Sequence, residues 1–315
     1  MTGHSHLRAV GVRIDYDAVP RRVRHWVEQV LGAPVAEAVT QRGGMSPGCA
    51  ARLRLADGRR AFVKAVGREL NADTVRLHRL EAAVLAALPV VSWRPRLLAG
   101  YDDGAWVALV LEDVEGHHPD WRDDGQVRAV LAQVEAQALE LSPSPVGASV
   151  VPTLLEKLAT WSAVLEGDLS GPKGALPSWF RSNRDLVERH LEALSVALHG
   201  TTLCQWDLRN DNILIRPDGS VVLIDWGISR LGPVWADIVV LAMEWAETPR
   251  FDEILSASPL LAGAGDAATG ILLGIGGFLT VAGTWDAPPG LPTLPAFRAR
   301  EGRRMLEGAR RRLAA

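Results

Sequence analysis

The spacing of apolar positions along the chain changes near residue 112. Before it, short runs rich in apolar residues are bounded by Gly, Pro and Asp, the punctuation of strands and turns. Residues 35–40, 49–55, 60–66, 96–101 and 106–111 read as strands, with Asp57-Gly58 and Asp102-Asp103-Gly104 as hairpin turns. Two segments in this part keep helical spacing instead. One carries Val23, Trp26, Val27, Val30 and Leu31 within 18–31 and stops at Gly32; the other carries Val75, Leu77, Leu80, Val84 and Leu85 within 73–88 and closes at Pro89. Beyond residue 112 the helical period dominates, predicting helices at about 124–140, 152–165, 179–198, 233–248, 267–284 and 296–313. A strand pair at 212–216 and 220–225, turned by Pro217-Asp218-Gly219, interrupts them. The pattern is α+β in two lobes: a small antiparallel sheet with one packed helix over 1–112, and a larger, mostly helical part over 113–315.

Composition fits that division. A chain of 315 residues can bury two cores of ordinary size. A formal net charge of −3 offers no overall field for nucleic acid or an anionic membrane, and neither is expected as a partner. Cys49 and Cys204 are far apart and lack metal-ligand spacing, so reduced thiols in a cytoplasmic protein are expected. The N-terminal run MTGHSHLRAV has no apolar core of a secretory signal. The apolar stretch 267–284 approaches the length of a membrane span, but its five glycines and the acids Asp266 and Asp286 at its ends favour a buried helix.

The chemistry concentrates in Gln205-Trp206-Asp207-Leu208-Arg209-Asn210-Asp211-Asn212 and in Val222-Leu223-Ile224-Asp225-Trp226-Gly227. A carboxylate, an amide oxygen five residues later and a second carboxylate on a glycine-bearing turn have the spacing of a phosphoryl-transfer centre. Asp, Asn and Gly are also ordinary turn residues. The upstream half weighs against a mere turn. Lys64 lies mid-strand among Phe62, Val63 and Val66, where an unpaired ammonium is expensive to bury. Glu81, on the helix packed against that sheet, is the candidate partner. Gly43, Gly44 and Gly48 flank Met45-Ser46 between two strands, where small residues let backbone N–H groups approach phosphate oxygens. The form GxGxxG is absent, and a plain hairpin turn would use the same glycines.

The phrases FVKAV, EAAVLAAL, LVLEDVEG, WDLRNDNILI, VLIDWG and GPVWADIVVL, in that order over residues 35–248, resemble the aminoglycoside phosphotransferase-like family. This is a small-molecule branch of the kinase-like superfamily that also includes choline and homoserine kinases. The resemblance implies a protein kinase-like fold, ATP with Mg²⁺ as phosphoryl donor, and a small hydroxyl-bearing acceptor. It assigns Lys64 to the α/β-phosphates, held by Glu81, with the loop of Gly43, Gly44 and Ser46 nearby. Backbone groups of Glu112 and Val114 would meet the adenine. Asp207 would be the catalytic base, and Arg209 would either sense the γ-phosphate or pair with Asp207. Asn212 and Asp225 would hold the metal, and Asp237 would brace the catalytic loop while capping its own helix.

Two positions depart from the family pattern. Gln205 stands where a histidine is usual; it can replace one hydrogen bond but cannot carry charge. Trp226 stands where protein kinases have Phe, which keeps the aromatic packing. Only about a dozen residues separate Asp225 from Asp237, too few for the activation segment of a protein kinase. The expected activity is O-phosphorylation of an antibiotic such as an aminoglycoside, with a metabolic kinase of the choline or homoserine type, or a nucleotide-binding pseudokinase, as alternatives. Glu244, Glu247, Asp252 and Glu253 could line a cleft for a polycation or form a solvated face. The arginines of the last helix, from Arg298 to Arg312, suit a cationic drug poorly if they face it.

Overall fold

The computed structural model describes residues 10–167, 174–262, 264 and 266–314, so most of the run read for a leader lies outside the described residues. Packing divides the chain into two compact units. The first takes the chain up to Pro119 together with Asp211–Ile228 and Ala287–Thr293. The second takes Asp120–Asn210, Ser229–Asp286 and the chain from Leu294 onward. Two short segments thus join the first unit from far along the sequence, which a single cut near 112 does not provide for.

The first unit is built on five strands, β1 (Val35–Thr40), β2 (Cys49–Leu55), β3 (Arg60–Gly67), β4 (Leu97–Asp102) and β5 (Trp106–Leu111). They form one antiparallel sheet in the order β1-β2-β3-β5-β4. Helix α1 (Arg21–Leu31) buries Val23, Val27 and Leu31 with Ala61, Val63 and Ala65 of β3. Because strand side chains alternate between faces, this leaves Lys64 on the opposite face of the central strand. It lies in register with Ala50 on β2 and Leu109 on β5. Helix α2 (Ala72–Ala87) starts at Asn71, whose side chain accepts the Thr74 N–H at 2.7 Å, a standard N-cap. A small hairpin of Ile213–Ile215 and Val221–Leu223 completes the unit and buries Leu214 and Val222 with Val114.

The second unit is helical: α3 (Asp124–Glu140), α4 (Leu155–Glu166), α5 (Ser178–Ser182), α6 (Arg184–Ala197), α7 (Ala236–Ala242), α8 (Arg250–Ala257), α9 (Ala267–Ala282) and α10 (Leu294–Leu313). Helix α9 is the glycine-rich stretch, and it is buried along most of its length. Interior glycine costs a helix about 1 kcal/mol relative to alanine. Here packing compensates, since a methyl at Gly274 would sit 2.7 Å from the Trp161 ring of α4 and one at Gly276 3.0 Å from Leu306 of α10. Among the described residues no helix is long and apolar enough to cross a membrane.

Several boundaries differ from the sequence reading. The helix expected over 179–198 breaks at Asn183, whose side-chain amide donates to the Trp179 carbonyl at 2.7 Å and ends α5. The helix expected over 233–248 shortens to α7 followed by a 3-10 turn at Met243–Trp245. Helix α8 and the pairing of Thr202–Cys204 with Arg230–Gly232 are additional. Strands of three residues are too short to leave a periodicity.

Candidate active site

In the first unit, the lysine in the middle of β3 is fully engaged. Lys64 Nζ donates to both Glu81 oxygens at 2.8 Å and lies 3.3 Å from Asp225 Oδ1. Burial opposes charge on Lys64, but Asp225 and Glu81 outweigh it and hold its pKa above the ordinary value. Glu81 also accepts the Trp226 N–H at 3.4 Å, which ties the Asp225 turn to α2. Asp225 has φ 64°, a left-handed conformation that aspartate tolerates better than most residues. Asn212 is its neighbour across the hairpin, for the Ile224 N–H donates to the Asn212 carbonyl at 2.9 Å. The structure therefore brings together Lys64, Glu81, Asn212 and Asp225, as their spacing suggested.

The linker and glycine loop belong to the same unit. The Glu112 N–H donates to the Arg96 carbonyl at 2.9 Å, and Arg52 Nη2 donates to the Val114 carbonyl at 2.9 Å. Among the described residues no recorded hydrogen bond uses the Glu112 carbonyl or the Val114 N–H. These are one acceptor and one donor two residues apart on the same backbone. Gly43, Gly44 and Ser46 form an irregular loop between β1 and β2, with φ 87° at Gly44.

The second unit holds the catalytic-loop sequence. Asp207 Oδ1 pairs with Arg209 Nε at 3.1 Å, which is one of the two readings given for Arg209. The Arg209 guanidinium also lies 5.8 Å from the centre of the Phe297 ring on α10. Asp237 is 2% exposed and accepts the Gln205 N–H at 2.8 Å, the Trp206 N–H at 2.9 Å and the Gln137 side-chain amide at 3.0 Å. This clamp holds Trp206 at φ 63°, an unfavourable conformation for a bulky residue. The expected bracing by Asp237 is observed, but its capping role is not: no side-chain cap bond forms at the start of α7. Burial pushes the Asp237 carboxyl up to about 6, with the three donors pulling it back. Gln205 itself is fully buried.

The four acids offered for a polycation are all engaged. Glu244 accepts the Asn210 N–H at 3.2 Å and the Trp121 indole N–H at 2.9 Å. Glu247 pairs with Arg304 at 2.9 Å, Asp252 with Arg311 at 2.5 Å and with Arg312, and Glu253 with Arg250 at 3.7 Å. Two further residues, His78 and Arg13, went unnoticed in the sequence, and Glu244 was read only as a candidate cleft acid. His78 lies one turn before Glu81 on α2, and burial followed by the Lys64 charge lowers its pKa to about 3, so it stands neutral beside the lysine. Its i,i+3 spacing from Glu81 was the available signal. Arg13 reaches the glycine loop from a segment with no periodicity. Glu244 supports the catalytic loop, a role nothing in its local sequence marks.

A strand lysine ion-paired to a helix glutamate and a turn aspartate, on an α+β chain of this order, is the arrangement expected of a kinase-like phosphotransferase. The chain belongs to the phosphotransferase enzyme family APH, whose model matches residues 50–269. Choline kinase LicA from Streptococcus pneumoniae shares the fold at a TM-score of 0.60 and 15% identity, covering 92% of this chain and 98% of that one. LicA in complex with AMP gives 0.61 and 14%, over 93% and 99%. A thermostable mutant of aminoglycoside phosphotransferase APH(4)-Ia, in ternary complex with AMP-PNP and hygromycin B, gives 0.60 and 12%, over 92% and 98%. No curated protein sequence matches the chain.

Proposed function

We propose that this phosphotransferase uses ATP with Mg²⁺ and transfers the γ-phosphoryl group to the hydroxyl of a small metabolite of low positive charge, in the cytoplasm. The observation that carries the nucleotide reading is the Lys64 ammonium, partly buried yet kept charged between Glu81 and Asp225. A fixed, desolvated cation of this kind suits phosphate oxygens. Lys64 then binds the α/β-phosphates and Glu81 orients it. The loop of Gly43, Gly44 and Ser46 lies against the phosphates, and the Glu112 carbonyl and Val114 N–H meet the adenine. Asn212 and Asp225 would hold Mg²⁺: two hard oxygen donors suit an ion that keeps water and phosphate in the rest of its shell. The metal supplies charge neutralisation on the phosphates.

Asp207 accepts the proton of the acceptor hydroxyl as its oxygen bonds to phosphorus and the bond to ADP breaks; Arg209 keeps the carboxylate oriented. The paired state of Glu244, Glu247, Asp252 and Glu253 supports an acceptor other than a polycationic aminoglycoside. The aminoglycoside reading draws its support from the hygromycin B complex of the structural neighbour. ATP consumption against a panel of amino-alcohols, sugars and aminoglycosides separates the two; turnover confined to aminoglycosides would reverse the preference.

Calorimetric titration tests the metal. Wild type is expected to bind ATP more tightly with Mg²⁺ than without, and Asp225→Asn to lose most of that difference, because an amide offers one neutral oxygen where the carboxylate offered charge. Equal affinity of the wild type in both conditions points instead to a pseudokinase.

A further inference from the structure

The segment from Val10 to Ile14 lies alongside the glycine loop as a strap. The Gly48 N–H donates to the Val12 carbonyl at 3.1 Å, and the Ile14 N–H to the Gly48 carbonyl at 3.2 Å. The strap also takes hold of the loop's other carbonyls. The Gly11 N–H donates to the Gly44 carbonyl at 3.2 Å, Arg13 Nη2 donates to the Gly43 carbonyl at 2.6 Å, and Arg13 Nη1 donates to the Ser46 carbonyl. The approach is close enough to need glycine on both sides. A methyl at Gly11 would lie 2.3 Å from the Met45 carbonyl oxygen, and one at Gly44 would lie 2.7 Å from Arg13 Nη2.

The direction of those carbonyls fixes the rest of the loop. In a trans peptide the C=O of one residue and the N–H of the next point opposite ways. With the Gly43 and Gly44 carbonyls turned onto the strap, the N–H groups of Gly44 and Met45 face away from it. The Ser46 carbonyl is followed by Pro47, which has no N–H to place. Among the described residues no recorded hydrogen bond uses the Gly44 or Met45 N–H. Two successive free N–H groups on a left-handed turn make a small concave anion site. Arg13 also stands within Coulombic reach of Asp225, so its charge belongs to the neighbourhood of the phosphates.

We propose that Arg13 is a positioning residue for the nucleotide phosphates: by bridging the Gly43 and Ser46 carbonyls it presents the Gly44 and Met45 N–H groups to a phosphate oxygen. The proposal rests on the ATP reading above. Arg13 acts through the loop and is not assigned contact with the reacting atoms.

The test compares ATP with adenosine, which shares the base and ribose but has no phosphate. Calorimetry on the wild type, Arg13→Gln and Gly11→Ala would be run with Mg²⁺, alongside melting curves of the unliganded proteins. Arg13→Gln removes the bridge; Gly11→Ala displaces the loop without changing charge. Both are expected to weaken ATP by about tenfold or more while adenosine binds within about twofold of wild type, the size of loss expected for charge-assisted contacts. A structural defect alone would lower both affinities together. If either folded variant keeps the wild-type ratio of ATP to adenosine affinity, the inference is overturned while the ATP reading stands. A wild type that binds no ATP overturns that reading, and the inference with it.

Discussion

Asp207→Ala is expected to lower turnover by about 10² to 10⁴-fold, the usual contribution of a positioned general base. That range corresponds to about 3 to 5 kcal/mol of barrier. Nucleotide affinity should be nearly unchanged, because Lys64, Glu81, Asn212 and Asp225 make their contacts within the first unit, and Asp207 belongs to the second. The substitution also removes the ion pair that Arg209 makes with Asp207. Asp207→Asn separates these effects: it keeps the side chain's shape and a hydrogen-bonding oxygen but cannot take a proton. Steady-state kinetics and ATP titration on both variants decide the matter. Turnover near wild type in either would remove Asp207 from the role of base.

The second large effect is expected at Asp237. Asp237→Ala leaves the N–H groups of Gln205 and Trp206 and the Gln137 amide without their acceptor in a buried site. Each of these three groups costs about 1 to 3 kcal/mol, so a loss of roughly 3 to 9 kcal/mol in unfolding free energy is expected. The left-handed backbone at Trp206, itself worth about 1 to 2 kcal/mol of strain, loses the clamp that enforces it. Activity should fall with the loop even in protein that remains folded.

The same residue carries a pH signature. Its folded value of about 6 lies above the 3.8 of an unperturbed aspartate, so between those values the folded chain binds more protons than the unfolded one. Its contribution to stability is complete below about pH 4 and falls by about 3 kcal/mol as pH rises through 6. The unfolding free energy of wild type minus that of Asp237→Asn should therefore fall from pH 4 to 7 in denaturant titrations. A difference that rises with pH would contradict the raised value.

Much of this was legible in the sequence because the informative residues sit on regular elements. Short runs between turn signals set the bounds of β1, β2 and β5, and the mid-strand lysine of β3 called for a partner that α2 could supply. The Asp–Asn–Asp spacing is local and can be read without any distant contact. What stayed hidden depends on contacts distant in sequence. Arg13 meets its carbonyl partners 30 and 33 positions away, through a segment with no repeating pattern. The pairing of Glu247 with Arg304 and of Asp252 with Arg311 spans nearly 60 positions, and only a fold decides whether an acid faces water, a ligand or a guanidinium. Asp237 looked like a helix cap because aspartate near a helix start usually is one. Its side chain turned instead toward two backbone donors more than 30 residues upstream.

The glycine-studded helix α9 inverts the ordinary map of mutational risk in this protein. In most cores the vulnerable positions are the large residues, whose truncation opens a void. Here neighbouring helices pack directly onto the glycine backbone of α9, so the least substantial residues are the ones that cannot change. One added methyl at Gly274 would press into Trp161, and one at Gly302 would lie 2.5 Å from the Thr280 N and Oγ1 atoms. Trimming Leu272 or Leu273 removes contacts that a slight collapse can partly restore, whereas nothing in the rigid interior can yield to the extra carbon. A library screened for stability should find alanine tolerated less well at these glycines than conservative trimming at the neighbouring leucines.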